Sequence, residues 1–166
     1  MRKIIMIKVI FHLFYHFIWR FQKIALSLQR IQILKDMTKE EQKQYWLELA
    51  EYDLETAQAM YDTKRWLYVG FMCHQVLEKS MKAFWCATKP EDPPYSHNLM
   101  SLYQSTELSK IMSQDQVLFI SQIMPMNIEA RYPSFKERLF HSLTPEYCKQ
   151  MLDNTKDFFQ WIKSKL

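Results

Sequence analysis

At 166 residues with 48% hydrophobic side chains, the chain is sized for one core, and a second domain is not expected. A single glycine, Gly70, supplies almost none of the positive-φ turns on which β-hairpins, phosphate-cradling loops and dinucleotide folds depend, so those architectures are disfavoured from the start. The net charge of +4 is unevenly placed: residues 1–36 carry seven Lys/Arg and one acid, leaving fifteen basic against seventeen acidic residues downstream and no bulk electrostatic footprint there for nucleic acid.

Eleven methionines, with abundant Leu, Gln, Glu, Lys and Ala, lose little rotamer freedom in helices, which points to an all-α protein. Cys73, Cys86 and Cys148 are odd in number and unpatterned in spacing. They suggest neither a disulfide framework nor a zinc site, and a reducing, cytoplasmic setting is the simplest reading. No cofactor motif is present in the sequence, and His12 with His16 lacks the Glu and third ligand of a metalloprotease helix.

Residues 1–36 are read as a basic amphipathic N-terminal extension. Lys8, His12, His16 and Arg20 interrupt any signal-like or membrane-spanning run. As a helix, Ile7, Phe11, Phe14, Ile18, Phe21, Ala25 and Leu28 form one apolar stripe opposite basic residues. Three readings stand: a membrane-surface helix, an extra packing helix, or an upstream extension before a true start at Met37. Thr38 and Glu41 have capping-box spacing, so the domain is placed at 37–166.

The first helix of that domain is predicted from Glu40 to Asp62, with Trp46, Leu49, Ala50, Leu54, Ala57 and Met60 at 3.6-residue spacing. A second runs from about Trp66 through Cys73, Leu77, Met81 and Phe84 to Thr88, where Pro90, Pro93 and Pro94 forbid continuation. Gly70 inside it costs about 1 kcal/mol relative to Ala, which implies close approach of another helix. Ser96 is the expected N-cap of a brief third helix carrying Leu99, Leu102 and Tyr103. A fourth begins near Gln114 and is broken by Pro125, and Thr144-Pro145 opens the last. The expected fold is an up-and-down bundle of about five helices, two of them long.

Four clusters then stand in order: LAEYDLETAQAMYDTKRW from Leu49, HQVLEKSMKAFW from His74, SHNLMSLY from Ser96 and EARYPSF from Glu129. Together they resemble the HEPN domain, over essentially all of 37–166 and none of 1–36. The resemblance implies a helical bundle that dimerises with a second copy and is often paired with a minimal nucleotidyltransferase in a toxin-antitoxin-like system, with a nucleotide or RNA as ligand; a membrane partner is not expected of the domain, and a membrane-associated adaptor that uses the basic N-terminal helix stands as a further alternative. Some relatives of this kind are metal-independent RNases that carry an Arg followed, after four to six residues, by a His. Here Arg131 and His141 are separated by nine residues and Arg138 and His141 by two, so that motif is not intact.

The resemblance raises His74, Glu78, Lys79, Lys82, His97, Asn98, Arg131 and Tyr132 as nucleotide-binding candidates. It also raises Arg131 and His141 as a catalytic pair. Each has a plainer reading. Glu78 and Lys82, four apart, form an exposed helix pair contributing a few tenths of a kcal/mol in that reading. In the functional reading, Glu78, Lys79 and Lys82 face a groove where the lysines contact phosphate. His97 and Asn98 either cap the third helix or hydrogen-bond a base or sugar. Arg131 beside Tyr132 offers a guanidinium fork for phosphate and a ring for stacking, against the alternative of a surface ion pair with Glu129 or Glu137.

Overall fold

In the computed structural model, residues 36–129 and 143–166 are described. The helical unit spans Lys39–Leu166. Its elements are α1 (Lys39–Asp62), α2 (Trp66–Thr88), α3 (Leu99–Gln104), α4 (Leu108–Ile111), α5 (Gln114–Ile123), α6 (Met126–Glu129) and α7 (Pro145–Lys163). No strand occurs among the described residues, and the fold is the expected helical bundle. The N-terminal stripe lies outside the described residues.

The α1–α2 hairpin is the framework. Its three-residue link ends α1 with Lys64 at φ 59, and the Arg65 amide donates back to the Met60 carbonyl at 2.7 Å. That left-handed position is one glycine usually fills. The hairpin packs along its length, and α7 lies against both of its helices. Leu77, Met81, Leu152 and Ile162 are fully buried or nearly so in the resulting core, joined by Leu99, Leu102 and Leu108 from α3 and α4. At 19 residues, α7 is a third long helix beside α1 and α2.

Local signals account for most of the boundaries. The Thr144 side chain caps α7 with Pro145 at its first turn, and Ser113 with Gln116 closes a capping box on α5. Pro125 stands in a turn that separates α5 from α6. The N-cap of α3 is Asn98 and not Ser96: the side-chain oxygen of Asn98 accepts from the Ser101 amide, while Ser96 Oγ accepts from the Asn98 amide one step earlier. Gly70 allows the expected close approach, since a Cβ there would stand 3.0 Å from Met126 Sδ on α6. Among the described residues no helix is long and apolar enough to cross a membrane.

Candidate functional site

Because α2 is covered by α1, α7 and the shorter helices, it is buried on nearly every side, and polar residues in its sequence are drawn inside with the apolar ones. His74, Glu78 and Lys82 recur at four-residue intervals, which aligns them on one face, and all three are buried. A buried carboxylate without partners costs several kcal/mol, so the fold must supply them. Lys82 Nζ donates to Glu78 Oε1 at 2.8 Å, with the side chains only 8% and 4% exposed. His97 Nδ1 meets the other oxygen, Oε2, at 2.8 Å. Burial pushes the Glu78 carboxyl up, but the charge and hydrogen bond of Lys82, followed by those of His97, outweigh it and hold it below the ordinary carboxylate value.

Donor and acceptor chemistry places one N–H on each ring. An ionised carboxylate can only accept, so His97 carries a hydrogen on Nδ1, and whenever the ring is neutral its lone pair falls on Nε2. The His97 backbone carbonyl likewise can only accept, so the buried His74 donates to it from Nε2 at 3.1 Å. His74 Nδ1 stands 3.9 Å from Glu78 Oε2, beyond hydrogen-bond reach. The ammonium of Lys82 also lies 5.0 Å from the centre of the Trp46 ring, tying α1 into the network.

His97 sits on the connection from α2 to α3, and that loop is pinned at several points. Trp85 Nε1 donates to the Glu91 carbonyl at 3.0 Å, and Lys39 and Gln42 of α1 donate to Asp92 at 2.7 and 3.3 Å. The Ser96 amide donates to the Pro94 carbonyl at 2.8 Å, and Asn98 then caps α3. The loop therefore presents His97 with its side chain 60% exposed while one ring nitrogen reaches a buried carboxylate.

The candidates separate accordingly. His74, Glu78, Lys82 and His97 converge, and Asn98 adjoins them as an exposed cap. The Glu78–Lys82 pair is not the exposed helix pair of the plainer reading, because the α2–α3 connection folds back over it. Lys79 does not share its groove: its ammonium bonds Asp53 of α1. Both lysines are thus engaged by carboxylates. Arg131, Tyr132 and His141 lie outside the described residues.

Two partners escape sequence reasoning. Asp53 is buried on α1, in line with Trp46, Ala50, Ala57 and Met60 at alternating steps of four and three, and an acid on an apolar line is the signal that marks it. Trp46 reads as core from its spacing, and nothing in that spacing announces a ring beneath an ammonium. An open groove of about 550 Å³ where α7 begins beside the end of α1 is lined by Tyr61, Glu146, Lys149 and Asp153 and holds none of the candidates. Among the described residues no group of three or more His, Cys, Asp or Glu is arranged to hold a metal ion.

A family model described as the HEPN domain matches residues 43–165. The fold is similar to the crystal structure of TT1696 from Thermus thermophilus, with a TM-score of 0.65 at 19% identity, over 78% of this chain and all of that one. No curated protein matches the chain.

Proposed function

The chain belongs to the HEPN family, and on that premise we propose that it is a nucleotide-binding protein acting as a homodimer, paired with a minimal nucleotidyltransferase in a toxin-antitoxin-like system. The observation that carries the reading is the placement of His97 and Asn98. Both are exposed, on a loop pinned to two helices, above a buried Glu78–Lys82 pair. Buried ionic networks are expensive compared with apolar packing, and holding a surface group in one orientation is a use that justifies the expense.

In this reading Glu78, Lys82 and His74 orient the site and do not touch the ligand. His97 through Nε2 and Asn98 through its side-chain amide make hydrogen bonds to a base, sugar or phosphate. Arg131 and Tyr132 supply the guanidinium fork and the stacking ring. Lys79 and Lys82, held by Asp53 and Glu78, are supports for the helix hairpin and not phosphate contacts.

Calorimetric titration of ATP, GTP and their mono- and diphosphates into the purified full chain tests the proposal. Saturable binding that weakens at least about tenfold, or 1.4 kcal/mol, in His97→Ala and Arg131→Ala supports it. Absence of heat at millimolar nucleotide removes it. Co-purification with the product of an adjacent nucleotidyltransferase gene tests the pairing separately.

A further inference from the structure

The nucleotide-binding reading uses His97 only as a hydrogen-bonding group, but its ring is held at one nitrogen and presented to solvent at the other. We propose that His97 is a phosphorylation site, at which Nε2 accepts the phosphoryl group of a small acyl phosphate. The inference stands apart from the nucleotide-binding reading, since it needs a phosphoryl donor and no bound nucleotide.

Three observations support an acceptor at this position. His97 Nδ1 donates to Glu78 Oε2 at 2.8 Å, so in the neutral ring the lone pair falls on Nε2, and Nε2 makes no hydrogen bond to any described residue. Glu78 is itself held by Lys82 at 2.8 Å, and the bond from His74 Nε2 to the His97 carbonyl anchors the backbone, so the ring has little freedom to turn its held nitrogen outward. The His97 side chain is 60% exposed, whereas His74, the other histidine among the described residues, is fully buried and beyond the reach of a donor. An imidazole presented in this way is a nucleophile in its own right.

The surroundings select the electrophile. A phosphoryl group carries about 1.5–2 negative charges, and on Nε2 it stands on the side of the ring away from the buried Glu78 carboxylate, where water solvates it. Asn98 adjoins it, with a side-chain oxygen committed to the Ser101 amide, which leaves the amide hydrogens for a phosphoryl oxygen. Lys79 and Lys82 are held by Asp53 and Glu78. Neither is placed to neutralise a departing diphosphate or to protonate a departing alkoxide, so the donor must carry a group that is stable as it leaves. The carboxylate released by an acyl phosphate is such a group.

In that step the Nε2 lone pair forms a bond to phosphorus as the bond from phosphorus to the acyl oxygen breaks, and the electron pair of the broken bond leaves with the carboxylate. The ring keeps its Nδ1 hydrogen, and the positive charge it gains faces the Glu78 carboxylate. The product is a phosphoramidate on His97, with no oxidant or third reactant required. Glu78 is a positioning residue here: it sets which nitrogen reacts and balances the charge that develops on the ring.

The test is incubation of the full chain at pH 8 with acetyl phosphate, and in a parallel arm with ATP and magnesium, followed by intact mass, peptide mapping and phosphorus–nitrogen NMR. Acetyl phosphate is expected to add one phosphoryl group, on His97 and at Nε2 alone, that is lost in acid and retained in alkali. His97→Gln, whose side-chain amide can still donate to Glu78, is expected to take up none. Glu78→Gln keeps an oxygen facing Nδ1 and removes the charge, so it should label about tenfold more slowly with Nε2 still the site, a combination that a purely structural role for Glu78 would not produce. If that variant unfolds, the residue and the nitrogen labelled in the parent decide the matter.

Labelling of His97→Gln at the parent's rate overturns the proposal, as does labelling of His12, His16 or His141 as fast as His97, which would mark the reaction as unselective. A mixture of Nδ1 and Nε2 products overturns the orienting role of Glu78. Labelling by ATP and not by acetyl phosphate overturns the acyl donor, and a parent that takes up no phosphoryl group from either overturns the site altogether.

Discussion

Replacing Lys82 with Met measures directly what the buried network is worth. The substitution keeps most of the side-chain volume and removes the charge, leaving the Glu78 carboxylate to His97 while its side chain stays 4% exposed. Breaking a buried pair from one side typically costs about 3–5 kcal/mol, and the retained His97 contact places the expected loss near the lower end, at about 3 kcal/mol. With a urea dependence of about 1.5–2 kcal/mol per molar, the unfolding midpoint should fall by roughly 1.5–2 M.

The pH dependence supplies a second readout. In the parent the Glu78 carboxyl is held below its ordinary value, so its contribution is fully present above the unfolded value near 4.5 and is lost as pH falls through the lower, folded one. In Lys82→Met, burial acts against His97 alone, which shifts the carboxyl upward relative to the parent. The stability gap between the two proteins should therefore be widest near neutral pH and narrow in acid. A loss under about 1 kcal/mol at pH 7, flat with pH, is the signature of an exposed helix pair and would refute the buried-network reasoning.

The remaining expectations are independent of that network. Ellman's reagent at pH 8 should label none of Cys73, Cys86 and Cys148 in the native protein and all three in urea, since each is buried and its thiol raised to about 11 or 12; rapid native labelling would contradict this. Lys64→Gly should raise stability by about 0.5–1 kcal/mol in urea melts by relieving a left-handed residue, net of the entropy gained by the unfolded chain, whereas a loss would show that the Lys64 side chain matters more than its backbone. Thr144→Ala should cost about 1 kcal/mol, and Thr144→Ser little, because the cap bond to the Tyr147 amide needs only a side-chain oxygen.

The sequence discloses the helices whose signals are local. Thr144-Pro145, the prolines after Thr88 and the spacing within 40–62 and 66–88 mark their elements without help from the rest of the chain. Ser96 misleads because it and Asn98 are both good caps two residues apart, and the choice depends on how the preceding prolines deliver the chain. The four residues of α4 give no warning of themselves, being too few for a period to register.

The candidate site is legible as a set of residues and not as a geometry. Glu78 and Lys82 announce a pair at four-residue spacing, but whether that pair is wet or buried depends on the loop carrying His97, a contact 19 residues away. Lys79 differs from Lys82 only through its tertiary partner, and that partner, Asp53, lies 26 residues upstream. Helical periodicity locates faces and leaves open which neighbour will cover them.

Amide chemical-shift mapping of the full chain during ATP titration puts the central proposal to its most direct test. Saturable shifts are expected at His97 and Asn98, with smaller ones at His74 and Glu78 beneath them and none at Lys79. Shifts centred on the groove lined by Tyr61, Lys149 and Asp153, or no shifts at millimolar ATP, would contradict it.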